Sequence, residues 1–115
     1  MTFARVKEIL ADAVAEWSKR VGRTPNLVKK HGPTFPLLDK TYTLESLLAA
    51  EARGLRLIQP EMIASGRGKE ANLVVALRTG IPAPSNIDQM PPDGPVVPED
   101  RIKEIELWID GGCKE

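Results

Sequence analysis

The sequence has little cysteine, few aromatic residues and no excess of charge of either sign. Its single cysteine, Cys113, excludes an internal disulfide, and the lack of a C-x-x-C pair argues against structural zinc, a redox dithiol or a thioether-linked cofactor. Lysine plus arginine number 16, as do aspartate plus glutamate, so no net field attracts nucleic acid or an anionic membrane. Neither is expected as a partner. With only 4% aromatic residues, the core must consist mainly of Leu, Ile, Val and Ala.

Long hydrophobic runs are also absent. Charged residues interrupt the first 17 positions, so these positions contain no signal-peptide core. No run approaches the roughly 20 apolar residues that a membrane-spanning helix requires. We therefore expect a cytoplasmic protein without a membrane partner. A periplasmic location stays open if a leader originally preceded this sequence.

What is present predicts helices. The length of 115 residues favours a single domain over 1–115. Apolar residues at steps of three and four predict a first helix that Thr2 caps and Gly22 ends. Its expected apolar stripe is Phe3, Val6, Ile9, Leu10, Ala13, Val14, Trp17 and Val21.

Three further helices are predicted. The second follows Thr43 and closes at Gly54, the third covers 69–80, and the fourth opens at Pro98 and ends at Gly111 and Gly112. The residues expected to face the core are Leu44, Leu47, Leu48 and Ala52 in the second, Ala71, Val74, Val75 and Leu77 in the third, and Ile102, Ile105, Trp108 and Ile109 in the fourth.

The connections are proline-rich. The segment 22–42 holds three prolines, with one short helical turn possible around 26–30, and 81–98 holds six, so both are predicted to be long irregular loops. No segment alternates with a period of two, so essentially no sheet is expected. The predicted fold is all-α, with about four helices and with the N- and C-terminal helices packed across each other.

The C-terminal part carries a resemblance. QMPPDG at 89–94, followed by IKEIELWIDGG at 102–112, resembles the class I cytochrome c domains that run from M-P-P to a helix ending in W-I-D-x-G. The resemblance extends to 47–77, similar to the middle helix, loop and third helix of that family, and to FARVKEIL at 3–10. It covers nearly the whole chain and implies a cytochrome c-like fold.

The haem attachment motif of that family is missing. There, the opening helix ends in C-x-x-C-H, which supplies two thioethers and one axial ligand. In LADAVAEWSKR at 10–20 the two cysteines correspond, depending on register, to Ala13 and Glu16 or to Val14 and Trp17. The histidine corresponds to Trp17 or Ser18. The resemblance thus implies a degenerate cytochrome c domain without haem.

Met90 matches the methionine ligand of the family, but a single thioether is too weak to hold haem iron alone. We therefore expect no cofactor and no metal. An unfilled haem cavity would cost about 24 cal/mol per cubic ångström. Trp17, Met90 and Met62 are expected to fill the vacated pocket. In the alternative, His31 and Met90 bind haem non-covalently, although His31 is more simply a surface residue of its loop.

The resulting hypothesis is a non-enzymatic, haem-free module that transfers no electron and binds an unidentified protein partner, with the loop 81–98 as contact surface. The alternative is a carrier or sensor of non-covalent haem or another flat apolar ligand. No catalytic residue is assigned, because the only histidine has no identifiable partner in the sequence.

The remaining charged and reactive side chains have simpler interpretations. Cys113 is expected to be an unreactive free thiol near the tail, and Glu99 is expected to pair with Lys103. The acidic residues predicted to form the solvated face of the fourth helix are Glu104, Glu106 and Asp110.

Overall fold

The computed structural model describes residues 2–22, 42–90 and 96–115. Within these ranges the chain is mostly helical, with four α-helices and one small two-stranded sheet. The short helical turn expected around 26–30 lies outside the described residues.

Helix α1 spans Phe3–Val21, with the predicted caps. Thr2 has an extended backbone, and its hydroxyl oxygen accepts a hydrogen bond from the Arg5 N–H at 3.3 Å. Gly22 has φ +72 and donates its N–H to the Ser18 carbonyl at 2.9 Å. Both ends of the helix therefore follow from local chemistry.

Helix α2 spans only Leu44–Ala49, although it does begin with a capping box between Thr43 and Ser46. The prediction that it continues to Gly54 is wrong. Strands β1, Glu51–Ala52, and β2, Leu55–Arg56, pair antiparallel there. Arg53 and Gly54 have φ +54 and +80, as the two central residues of a tight hairpin turn require. The expectation of essentially no sheet is corrected to this one hairpin.

The predicted third helix is divided in two. A 3-10 turn covers Gly68–Glu70, Ala71 is extended, and helix α3 spans Asn72–Arg78. The Ala71 side chain cannot accept a capping hydrogen bond. Gln59 does so instead, because its Oε1 accepts the Asn72 N–H at 2.7 Å. Another 3-10 turn covers Pro60–Met62. The buried apolar residues of this region are Met62, Ala71, Leu73, Val74 and Leu77, whereas Val75 is only partly buried.

Helix α4 spans Glu99–Asp110, and Pro98 precedes its first turn. The four residues predicted to face the core are all at most 2% exposed. Trp108 stacks on Phe3 of α1 with ring centroids 6.1 Å apart, and Arg5 makes a two-pronged hydrogen bond to Glu104 at 3.0 and 3.1 Å. The first and last helices therefore pack against each other around an aromatic contact, as predicted.

Candidate functional site

The part of α1 that corresponds to the haem attachment motif is regular helix. Residues 13–18 continue the hydrogen-bonded helix without a break and present no thiol and no imidazole. Ala13 is partly buried against the core, and Glu16 is exposed. Since this stretch offers no group that could bind haem iron or form a thioether, covalent haem attachment has no chemical basis there.

A surface groove of about 420 Å³ lies beside this stretch, between α1 and the segment that leads into α4. Ile9, Ala13 and Val97 supply apolar lining, and Asp12 and Arg101 face each other at 3.4 Å. The remaining lining residues are Glu16, Val96 and Pro98. The lining of the groove is thus partly apolar and partly charged.

Met90 lies at the end of α3 rather than in this groove. Its backbone N–H donates to the Ala76 carbonyl at 2.8 Å, and its side chain packs, partly buried, against the core. The neighbouring Gln89 donates its side-chain amide to the carbonyls of Leu77 and Arg78 at 3.3 and 2.9 Å. Two consecutive residues therefore tie the middle of the proline-rich loop 81–98 to α3.

The other residues expected to fill the vacated pocket lie in different environments. Met62 is 7% exposed and belongs to the hydrophobic core. Trp17 is only partly buried and lies beyond the buried half of α1, whose buried positions are Phe3, Val6, Ile9 and Leu10. The filling role of Trp17, Met62 and Met90 stays a prediction. His31 lies outside the described residues.

The segment after α3 forms a closed loop. Ile81 and Ile87 exchange two backbone hydrogen bonds at 2.7 and 2.8 Å, and residues 82–86 between them are all exposed. Asn86 has φ +50, a conformation that asparagine tolerates better than most residues. The exposed tip is therefore held at its base by strand-like hydrogen bonds.

The prediction that Glu104, Glu106 and Asp110 form a solvated face is wrong for Glu106, which is buried, while Glu104 and Asp110 are partly buried. Glu106 is 7% exposed and accepts hydrogen bonds from Arg78 at 3.1 Å and Lys103 at 2.7 Å. Asp110 accepts the Gly68 N–H at 2.7 Å. The α4 carboxylates therefore hold α3 and the 3-10 turn before it against α4.

The predicted Glu99–Lys103 pair is also wrong. Glu99 pairs with Arg78 through two contacts at 2.7 and 3.1 Å, while Lys103 reaches Glu106. The helical spacing could have indicated the burial of Glu106, because it lies four residues after Ile102 and three before Ile109, at the edge of the buried stripe. The identity of its partner Arg78, 28 residues earlier, had no indication in the sequence.

We expect this carboxylate to make stability depend on pH. Hydrogen bonds from Lys103 and Arg78 lower the pKa of Glu106 below its usual value, against the opposing effect of burial. A lowered pKa means that the native state binds fewer protons, so the stabilisation is present above about pH 4.5 and is lost as the pH falls through the native pKa. Urea unfolding between pH 7 and pH 3 should therefore show a smaller loss of stability in Glu106→Gln than in the unmodified chain.

The control for this prediction is Glu61→Gln, which alters an exposed carboxylate. Exposed Glu70 and partly buried Glu104 also have lowered pKa values because they accept hydrogen bonds from Arg67 and Arg5, so both variants should retain some pH dependence. Equal pH dependence in Glu106→Gln and Glu61→Gln would contradict the assignment.

Cys113 is only 3% exposed, in a position with φ +54 just after α4. Burial raises the pKa of its thiol to about 11, so the nucleophilic thiolate is scarce near neutral pH. This agrees with the expected low reactivity, and its cause is burial of the thiol.

Two features of the described residues concern metal binding and membrane insertion. Across residues 2–22, 42–90 and 96–115, no group of three or more His, Cys, Asp or Glu side chains is arranged to hold a metal ion. Within the same ranges no helix is both long and apolar enough to cross a membrane.

Comparison with known proteins gives no relative: no family model, curated protein or solved structure matches the chain. The resemblance to cytochrome c therefore depends on the sequence motifs alone.

Proposed function

We propose that this chain is a haem-free module with a cytochrome c-like fold that binds a protein partner and transfers no electron of its own. The observation that carries the proposal is the unbroken helix over residues 13–18. It stands where the resemblance places the haem attachment motif, and it holds no haem ligand. A cytoplasmic location is part of the proposal, since a domain without covalent haem does not need the compartment where bacteria attach it.

The cytochrome c-like part of the proposal is supported by the order and contacts of the helices. The first and last helices are joined through Phe3, Trp108 and the Arg5–Glu104 pair. Met90 stands between α3 and α4, as the resemblance requires. Asp110, the aspartate of the W-I-D-x-G pattern, accepts the Gly68 N–H and so joins α4 to the turn before α3.

The binding surface that we propose is the loop 81–98, of which residues 81–90 and 96–98 are described. The exposed tip at 82–86 is closed at its base by Ile81 and Ile87, and Gln89 and Met90 attach it to α3. Prolines and fixed hydrogen bonds reduce the conformational entropy that the loop would lose on binding. Within the described part of the loop, the exposed tip at 82–86 is held in one conformation and faces solvent, which favours recognition of a protein.

Haem titration separates this function from the alternative of a haem carrier. Because α1 offers no histidine, cysteine or methionine as ligand and the Met90 side chain packs against the core, we expect the purified protein to be colourless and added haemin to keep the absorbance spectrum of free haemin. The measurement is the Soret absorbance during titration, with a globin apoprotein as positive control. A saturable Soret band at one haem per chain, weakened in Met90→Ala or His31→Ala, would establish the carrier function instead.

A charge reversal on the loop tests the proposed surface. Asp88 is exposed in the loop, so Asp88→Arg should reduce recovery of a partner from native cells about tenfold, which corresponds to roughly 1.4 kcal/mol of binding free energy. The measurement is quantitative affinity capture with the full chain as bait.

The matched control for that experiment is Glu61→Arg, which makes the same change of charge at an exposed site in the Pro60–Met62 turn. A partner whose recovery falls in both variants binds through nonspecific electrostatic attraction. Partners that both variants retain would exclude this part of the loop as the binding surface.

A further inference from the structure

We draw no further inference here: the strongest candidate, the 420 Å³ surface groove between α1 and the segment 96–98 with Ile9, Ala13 and Val97 in its lining, carries no proposal because nothing in the structure shows what covers it.

Discussion

Trp108→Ala should lower the free energy of unfolding by about 3–5 kcal/mol, a large part of the stability of a domain of this size. Trp108 is 2% exposed and stacks on Phe3, and its indole N–H donates to the Lys114 carbonyl at 2.7 Å. Truncation would leave a cavity at the contact between the first and last helices and an unsatisfied acceptor near the C-terminus. Urea unfolding followed by circular dichroism gives the difference.

Leu107→Ala is the matched control, because Leu107 is the adjacent residue of the same helix and is 55% exposed. Its effect should stay within about 0.5 kcal/mol. Trp108→Phe helps to separate the two contributions, since it keeps most of the apolar contact and removes the indole donor together with part of the ring volume. Its free energy of unfolding should lie between those of Trp108→Ala and Leu107→Ala. Similar unfolding midpoints for Trp108→Ala and Leu107→Ala would contradict the packing described above.

Gly68→Ala should destabilise the chain by about 1–3 kcal/mol through overpacking. A Cβ at position 68 would lie 2.5 Å from the Glu106 carbonyl oxygen and 2.9 Å from Asp110 Oδ1. The first of these atoms belongs to the backbone of α4, so relief requires the 3-10 turn to move away from the helix. That movement would lengthen the 2.7 Å hydrogen bond from the Gly68 N–H to Asp110. Thermal and urea unfolding measure the loss.

Gly111→Ala provides the comparison. Position 111 has φ −80, and a Cβ there would lie 3.4 Å from the Leu107 carbonyl oxygen, which is ordinary contact. The stability of this variant should change by at most about 1 kcal/mol in either direction. If Gly68→Ala proves as mild as Gly111→Ala, the close approach of the Gly68 turn to α4 is not a constraint on the native structure.

The two predictions concern the same helix from opposite sides. Trp108 joins α4 to α1, whereas Gly68, together with Asp110, joins it to the turn before α3. Trp108 and Asp110 belong to the W-I-D-x-G pattern, and Gly68 is the hydrogen-bond partner of Asp110. The W-I-D-x-G residues of this chain therefore have a packing role in the fold.

The sequence predicted the structure correctly where few alternative local structures are open to the same residues. Thr2 and Gly22 bound α1 because a capping hydroxyl and a left-handed glycine act within one turn of the helix. The spacing of Ile102, Ile105 and Trp108 predicted their burial correctly, since one apolar stripe leaves a helix only one way to face a core.

The sequence predicted the structure wrongly where one residue type occurs in two kinds of local structure. Gly54 can end a helix or complete a hairpin turn, and both uses require a positive φ. The hairpin forms because Arg53 is also left-handed and the flanking pairs, Glu51 with Arg56 and Ala52 with Leu55, come into register. Similarly, Ala71 interrupts the expected third helix because Gln59, twelve residues earlier, caps the shorter one.

By itself the sequence determined the helical class, the ends of α1, the buried face of α4 and the absence of a C-x-x-C-H motif, because periodicity, capping and motif spacing are properties of neighbouring residues. Only the tertiary structure decided that Glu106 is buried between Arg78 and Lys103, that Met90 lies against the core, and that Gly68 meets α4. These are contacts between segments far apart in the chain, and their partners become specific only when the helices pack.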